Sequence, residues 1–223
     1  MYVTIMLILT AAICYLMGNP NGAILTSGIF FHDDIRRYGS GNAGLTNYYR
    51  KYGVKFIALV FLIDIGKGVL AVLIGGILMK IVAQDPKNFE QFIATGRLFG
   101  AFCVILGHSW PIIYNFKGGK GVLTGIGAAF MVDWRAGLIC LAVFLIFFLP
   151  TKYVSLGSVF GAASFPITLF AVDYRGVELA LAFFCSAVII VRHAENIKAL
   201  IKGKERKFTI KKDISYKLDK NDF

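Results

Sequence analysis

The chain has 223 residues, of which 57% are hydrophobic and 17% are charged. Soluble domains are about 45–50% apolar and about 25% charged. The composition therefore excludes an ordinary soluble domain and predicts an all-α protein that crosses a membrane several times. The formal net charge is +11. Because a soluble domain does not carry this charge, it favours contact with anionic lipid headgroups over nucleic-acid binding.

Seven apolar segments follow one another along the chain and predict seven transmembrane helices, since one crossing takes about 20 residues. They cover residues 2–31, 56–82, 98–113, 122–132, 136–149, 154–172 and 177–191. The first segment is broken by a polar stretch with a proline at residues 18–22. Such a break is tolerated only where protein or water satisfies the freed backbone groups. The fourth and fifth segments are short, so a single hairpin or a partly re-entrant pair is the alternative.

Seven crossings place the two ends of the chain on opposite sides of the membrane. Of the 24 Lys and Arg residues, Lys67 lies inside the second segment, 18 share the side of the C-terminus and five lie on the other side. Basic residues are enriched on the cytoplasmic side. The C-terminus is therefore predicted to be cytoplasmic and the N-terminus external, and the loops after the first and third segments share the cytoplasmic face.

The third segment leads into a glycine loop, residues 115–122, that contains three glycines and two lysines. Glycines let successive backbone N–H groups turn inward, and such a concavity binds anions. A glycine-rich turn whose lysines mark the membrane boundary is the alternative. A Walker A loop does not fit, because Tyr114 stands where its first glycine is required and Gly121 stands where its hydroxyl is required. Hydrolysis of ATP or GTP is therefore disfavoured.

The loop after the first segment carries a second polar cluster within residues 34–50. Ser40, Thr46 and Asn47 can donate to oxygen atoms, with Asn42 between them in the same cluster. Arg50 can bind a phosphate through two parallel hydrogen bonds. The serine and the two asparagines also fit an ordinary turn that caps a helix. Both interpretations stay open for these three residues.

Two histidines and a serine add to the predicted cytoplasmic clusters. His108 precedes Pro111 and fits a base, a headgroup ligand, or a partner for the backbone carbonyl that the proline frees. His193 and Asn196 are three residues apart and so share a helix face, for substrate contact or for capping at the membrane surface. Ser155 opens the sixth segment, where it can cap the helix or touch a ligand.

Asp64 and Lys67 lie three residues apart inside the second segment. Ionisable residues within a membrane span are functional candidates by default. A buried pair that only positions the helix is the alternative.

Three motifs occur in order along the chain. S-G-N-x-G-x-T-N-x-x-R matches residues 40–50, G-H-x-x-P followed by F-K-G-G-K-G matches residues 107–121, and H-x-x-N followed by a glycine matches His193, Asn196 and Gly203. In these motifs, and over nearly its whole length, the chain resembles the acyl-phosphate:glycerol-3-phosphate acyltransferase family of bacterial membranes. It departs at residues 18–20, where members usually have G-S-I-P, and at Leu45, where alanine is usual.

The resemblance implies a seven-helix fold, a reaction and a set of site residues. The reaction transfers a fatty acyl group from acyl phosphate to the sn-1 hydroxyl of glycerol 3-phosphate and gives lysophosphatidic acid and phosphate, the first step of phospholipid synthesis. The implied catalytic residues are Ser40, Lys120, His193 and Asn196. The implied phosphate-binding residues are Asn42, Asn47, Arg50, His108, Lys117, Gly118, Gly119, Gly121 and Ser155.

The same resemblance implies where the protein lies and what it meets. The expected location is the bacterial plasma membrane, with the active site on the cytoplasmic face. Expected partners are acyl phosphate, glycerol 3-phosphate, the lipid bilayer and the soluble enzyme that makes acyl phosphate; no metal, cofactor or nucleic acid is expected. Residues 1–203 are predicted to form one integral membrane domain, and residues 204–223 a basic cytoplasmic tail.

Two functions from other classes are weighed against this one. A small transporter for an anionic solute or a lysolipid would use the same basic clusters together with Asp64 and Lys67. The one-sided placement of the motifs and the lack of an internal repeat argue against it. A scaffold that holds the donor-making enzyme at the membrane is the weaker alternative.

Overall fold

A computed structural model describes residues 1–83 and 86–209 of the chain. Within these residues the regular structure is helical. The α-helices are α1 Tyr2–Gly18, α2 Gly22–Phe31, α3 Leu45–Tyr52, α4 Ile57–Val82, α5 Phe89–Ser109, α6 Val122–Val132, α7 Trp134–Thr151, α8 Val154–Ala171, α9 Gly176–Val191 and α10 Ala194–Ile201. Single 3-10 turns lie at Ile35–Arg37 and Ile112–Tyr114.

The apolar helices confirm an all-helical membrane protein. By length and composition, the described residues contain five segments that can cross a membrane: Tyr2–Phe31, Ile57–Val82, Phe89–Tyr114, Trp134–Thr151 and Val154–Ala171. A sixth is formed if α9 and α10, which are bent by 59°, count as one span. α6 has 11 residues, a length of about 16 Å at 1.5 Å per residue, which is about half of a hydrocarbon core. The count of seven crossings and the sides of the two termini stay predictions.

Two helical segments differ from the sequence-based prediction. α5 begins at Phe89, nine residues before the predicted start of the third segment, within the predicted loop. Its first turn contains Glu90, and an acidic side chain stabilises the positive end of a helix dipole. α3 forms inside the predicted polar loop because Tyr48 and Tyr52, four residues apart, bury their rings with centroids 5.1 Å apart. The predicted end of the third segment, residue 113, lies in the 3-10 turn that follows α5, four residues after the helix ends at Ser109. The other predicted bounds agree with the helices to within two residues.

The break in the first span lies between Gly18, where α1 ends, and Gly22, where α2 begins. Partners for its freed backbone groups come from α4. Nζ of Lys67 donates to the carbonyl oxygens of Gly18 at 3.0 Å and Pro20 at 2.6 Å. Oδ1 of Asp64 accepts from the N–H of Gly22 at 3.1 Å and lies 2.9 Å from Nζ of Lys67. The buried ion pair therefore holds the break in place.

α1 packs closely against α5 at the level of the break. A Cβ atom on Gly107 would overlap the carbonyl oxygen of Tyr15 and lie 3.0 Å from the Cα of Gly18. Only a glycine lets the two backbones approach this closely. The close contact brings the break next to His108 and the glycine loop.

The first residues of the predicted tail pack against the helical bundle. The N–H of Phe208 donates to the carbonyl oxygen of Lys152 at 2.8 Å. The Phe208 ring stacks on Tyr49 with centroids 5.3 Å apart and meets Phe148 edge-on at 5.8 Å. Residues 204–209 thus cross the end of the bundle where α3, α7 and α8 meet, and residues 210–223 lie outside the described residues.

Candidate active site

The loop between α2 and α3 is held in shape by Asn47, which is 2% exposed. Its Nδ2 donates to the carbonyl oxygens of Tyr38 at 2.8 Å and Asn42 at 3.1 Å. Its Oδ1 accepts from the N–H of Ser40 at 3.4 Å. The Asn47 amide, which we predicted to contact phosphate, is thus used inside the loop, where it presents the side chains of Ser40 and Asn42 at the loop surface.

α3 carries Arg50 in its last turn. Tyr48 and Tyr52 lie on the core side of the helix, so Arg50 is directed elsewhere and lines a large cavity. Nη2 of Arg50 donates to the backbone carbonyl oxygens of Arg206 at 3.3 Å and Lys207 at 3.4 Å. The guanidinium therefore lies between this cavity and the start of the tail.

The glycine loop connects α5 and its following 3-10 turn to α6. Gly121 has φ of +82°, a conformation that favours glycine. The guanidinium of Arg192 donates to the carbonyl oxygens of Gly118 at 3.3 Å and Gly119 at 3.1 Å. Within residues 1–83 and 86–209, the N–H groups of Gly118, Lys120 and Gly121 donate to no protein acceptor. Three backbone donors of the loop are therefore free to bind an anion.

Gly119 differs from the other glycines of the loop. Its N–H donates to the carbonyl oxygen of His108 at 3.1 Å, and it does not line the cavity. The predicted contact of this N–H with phosphate is therefore not available in this conformation. The close packing of Gly119 against His108 instead fixes the loop on the end of α5.

The cavity has a volume of about 1400 Å³. Its mouth is polar, and its deeper walls are apolar side chains of α4 to α9 such as Phe61, Ile105 and Phe165. Apart from Gly119, every predicted site residue lines it. These residues are Ser40, Asn42, Asn47, Arg50, His108, Lys117, Gly118, Lys120, Gly121, Ser155, His193 and Asn196.

A chain of hydrogen bonds joins three elements at the mouth of the cavity. Nζ of Lys120 donates to Oδ1 of Asn196. Nδ2 of Asn196 donates to Oε1 of Glu205 at 2.8 Å, and Oγ of Ser155 donates to the same oxygen at 2.6 Å. Ser155 is thus a partner of a protein carboxylate, and the Asn196 amide is oriented by a cation on one side and an anion on the other.

Two charged residues of this arrangement, Arg192 and Glu205, are not among the predicted site residues. Arg192 directly precedes His193, and Glu205 follows Gly203 by two positions. Charged side chains that flank the third motif could therefore have indicated both. Burial lowers the pKa of Arg192, and Glu195 opposes this shift.

His193 follows the end of α9 and is 3% exposed. Its Nδ1 lies 2.8 Å from the carbonyl oxygen of Ile189. A carbonyl only accepts hydrogen bonds, so Nδ1 carries the proton and Nε2 of the neutral ring is an acceptor. Burial is the main cause that lowers the pKa of His193 to about 4; the hydrogen bond to Ile189 opposes this shift, and the positive charges of Lys120 and Arg192 contribute to it. The ring is therefore neutral at pH 7 and can accept a proton.

His108 lies on the inner side of the glycine loop. Its Nδ1 is 3.5 Å from Oδ1 of Asp64 and 3.3 Å from Oγ1 of Thr124. The imidazole of His108 thus connects the ion pair of α4 to the glycine loop. Its Nδ1 faces Asp64 and Thr124, and its Nε2 faces Gly119. The geometry places His108 between the membrane-embedded helices and the site.

A cationic mouth above an apolar cavity in a helical membrane protein is suited to molecules with an anionic head and an apolar chain. The glycerol-3-phosphate acyltransferase family model matches residues 8–203. Over 206 residues the chain is 41% identical to the glycerol-3-phosphate acyltransferase of Clostridioides difficile (strain 630), covering 92% of this chain and 97% of that one. The enzyme of the same name from Aquifex aeolicus (strain VF5) is 38% identical over 175 residues, or 78% and 85% of the two chains.

Two solved structures are also similar. Both are crystal structures of PlsY, an integral membrane glycerol 3-phosphate acyltransferase. Its glycerol 3-phosphate form has a TM-score of 0.79 and 32% identity and covers 91% of this chain and 96% of that one. Its lysophosphatidic acid form has a TM-score of 0.76 and 31% identity, with coverage of 92% and 96%. The chain belongs to the glycerol-3-phosphate acyltransferase family, which confirms the resemblance drawn from the motifs.

Proposed function

We propose that the protein transfers a fatty acyl group from acyl phosphate to the sn-1 hydroxyl of glycerol 3-phosphate, giving lysophosphatidic acid and phosphate. The observation that carries this proposal is the convergence of three motifs on one cavity, since Ser40, Lys120 and His193 all line it. The solved relatives support it, because they are a glycerol 3-phosphate form and a lysophosphatidic acid form of one acyltransferase.

Both substrates carry a phosphate, and the mouth of the cavity offers two ways to bind one. The free N–H groups of Gly118 and Gly121, together with the ammonium of Lys120, form one anion site. Arg50 and Lys117, which line the same mouth, neutralise the second phosphate. Holding both anions together places the acceptor hydroxyl close to the acyl carbon, and such positioning supplies much of the rate of a transfer reaction.

The chemistry needs no covalent enzyme intermediate, because acyl phosphate is a mixed anhydride with a good leaving group. The sn-1 oxygen bonds to the acyl carbon, the bond from that carbon to the phosphate oxygen breaks, and phosphate leaves. Nε2 of His193 accepts the hydroxyl proton and returns it to the leaving phosphate. Asn196 positions the attacking hydroxyl, while Ser40 and Asn42 donate to the carbonyl oxygen as charge develops on it.

The apolar part of the cavity is suited to the acyl chain. Its walls include Phe61 of α4 and Phe130 of α6, whose side chains are 38% and 37% exposed. A chain bound there remains in contact with the lipid. The basic loops at the mouth support a cytoplasmic location for this end of the cavity, because basic residues are enriched on that side.

Phosphate release from palmitoyl phosphate by the purified protein in lipid vesicles tests this function. Release that requires glycerol 3-phosphate and matches the lysophosphatidic acid formed is the expected result. A folded, inserted protein that releases no phosphate contradicts the proposal. The same vesicles then enter an uptake assay with labelled glycerol 3-phosphate, which a transporter would accumulate without acyl transfer.

A further inference from the structure

The break in the first span contacts the loop that carries Ser40. Asn21 lies inside the break and is 0% exposed. Its Oδ1 accepts from the N–H of Ile24 at 3.0 Å and so caps α2. Its Nδ2 donates to the carbonyl oxygen of Ala43 at 3.0 Å. One buried amide therefore ties the start of a membrane helix to the middle of the first motif.

The same carbonyl of Ala43 is where the first loop meets the glycine loop. A Cβ atom on Gly119 would lie 2.7 Å from the Ala43 oxygen and would overlap the imidazole of His108. Gly119 is thus enclosed between the two. Ser40 and Asn42 lie within three residues of Ala43, and Lys120 follows Gly119. The contact between Ala43 and Gly119 therefore sets the distance from Ser40 and Asn42 to Lys120.

A second route joins the break to the glycine loop. Oδ1 of Asn19 accepts from the N–H of Ile113 at 3.4 Å, just before the loop. Oδ1 of Asp64 accepts from the N–H of Gly22 and also lies 3.5 Å from Nδ1 of His108. The contacts thus form a closed ring. It runs from Asn21 through Ala43, Gly119, His108 and Asp64 to Gly22, the residue after Asn21.

We propose that Asn21 is a positioning residue for acyl transfer, a role that rests on the proposed function. Its Nδ2 holds the carbonyl of Ala43 against Gly119, and this contact keeps Ser40 and Asn42 at a fixed distance from Lys120. An amide side chain offers both the acceptor and the donor that these two hydrogen bonds need. One end accepts from the N–H of Ile24 and the other donates to the loop, which a hydroxyl of shorter reach does not do.

Replacement of Asn21 by serine separates the two tasks. Serine is also a strong helix cap, so the start of α2 stays capped and the melting temperature in detergent falls only by the loss of one buried hydrogen bond, as it does for the control variant below. The donor to Ala43 is lost, the first loop shifts against the glycine loop, and kcat/KM for glycerol 3-phosphate falls about tenfold to a hundredfold, with a raised KM. Asn21→Asp keeps the cap but turns an acceptor toward the carbonyl, so it lowers kcat/KM more than Asn21→Ser.

Thr95→Val is the matched control. Oγ1 of Thr95 donates to Oε1 of Glu178 at 2.5 Å, a contact between α5 and α9 that lies far from the three motifs. Its loss leaves a buried carboxylate without that donor and lowers the melting temperature. The kcat and KM of the remaining folded enzyme stay at wild-type values.

Two results overturn the positioning role of Asn21. One is an Asn21→Ser enzyme with wild-type kcat and KM. The other is a loss of activity that is fully explained by less folded protein, with KM unchanged, as for Thr95→Val. A wild type that releases no phosphate contradicts the proposed function itself, whereas an active wild type beside an unaffected Asn21→Ser variant contradicts only the positioning role.

Discussion

The ammonium group of Lys120 donates a hydrogen bond to the side-chain oxygen of Asn196, which joins the glycine loop to the third motif. Burial lowers the pKa of Lys120 to about 8; the negative charge of Glu205 opposes this shift and the positive charge of Arg192 adds to it. A lysine with this pKa is charged at neutral pH and becomes neutral at moderately alkaline pH. The cation that would bind a substrate phosphate is therefore sensitive to pH within an assayable range.

The first prediction concerns the pH dependence of kcat/KM. Lys120 binds an anion only when it is protonated, so kcat/KM for glycerol 3-phosphate is level at pH values well below the pKa of Lys120, falls to half at about pH 8 and continues to fall above it. The arginine of Lys120→Arg keeps its charge at all these pH values. The variant's kcat/KM therefore does not fall with pH, although its value is lower than that of the wild type. Initial rates of lysophosphatidic acid formation between about pH 7 and about pH 9.5 measure both profiles.

Ionisation of the substrates does not account for the predicted difference between the two pH profiles. The second ionisation of a phosphate has a pKa near about 6, below the range, and it is the same for both enzymes. A wild-type profile that stays level above pH 8, or an identical fall in Lys120→Arg, would show that Lys120 does not titrate in the site. Lys120→Met, which carries no charge, lowers kcat/KM by about a hundredfold or more and leaves the protein folded.

The second prediction concerns Glu205, whose Oε1 accepts from Asn196 and Ser155. Its charge raises the pKa of Lys120. Glu205→Gln keeps an oxygen acceptor and removes the charge, so the fall in kcat/KM moves to a pH below that of the wild type. Glu90 is an exposed residue at the start of α5. Glu90→Gln is therefore the control, and it keeps the wild-type dependence of kcat/KM on pH. An unchanged profile in Glu205→Gln is evidence that this carboxylate does not interact with Lys120.

The third prediction assigns the proton acceptor. His193→Ala removes the neutral imidazole whose Nε2 is free to accept a proton, and kcat falls about 10²-fold to 10⁴-fold. His32→Ala is the control, because His32 is an exposed residue that does not line the cavity. Single-turnover formation of lysophosphatidic acid measures the chemical step. A loss of less than about tenfold in His193→Ala would assign the proton to a substrate phosphate instead.

The sequence is sufficient to bring the three motifs together. Ser40, Lys120 and His193 each follow or precede an apolar segment on the same predicted side of the membrane, so their meeting follows from hydropathy and chain order. The bounds of α6 agree for a similar reason, since Gly121 and Asp133 flank its apolar run and cap it.

The contacts between these segments depend on how far each helix is shifted along its neighbour in the bundle. Local sequence patterns do not predict this shift. Asn21 meets Ala43 across 22 residues, at a break that Lys67 holds through the carbonyl oxygen of Gly18. The N–H of Gly119 faces His108 rather than the cavity for the same kind of reason, since the loop rests on the end of α5. The place of Glu205 depends on how the tail folds back over the bundle, which the composition of a basic tail does not indicate.

The fourth prediction concerns the buried pair of Asp64 and Lys67, which are 1% and 7% exposed and 2.9 Å apart. Asp64→Asn or Lys67→Met alone leaves one buried charge without its counterion and lowers the free energy of unfolding by about 3–5 kcal/mol. The double variant buries no charge. It still lacks the donor to Gly18 and Pro20, so it is less stable than the wild type, but its loss is smaller than the sum of the two single losses.

Thermal unfolding of all four proteins in one detergent measures this coupling as a double-mutant cycle. The size of the coupling energy separates two interpretations of the pair. A favourable coupling energy well above about 0.5 kcal/mol means that each charge is retained because the other is present. Additive losses would mean that each side chain acts alone on the backbone of the break, Lys67 through its carbonyl contacts and Asp64 through the N–H of Gly22.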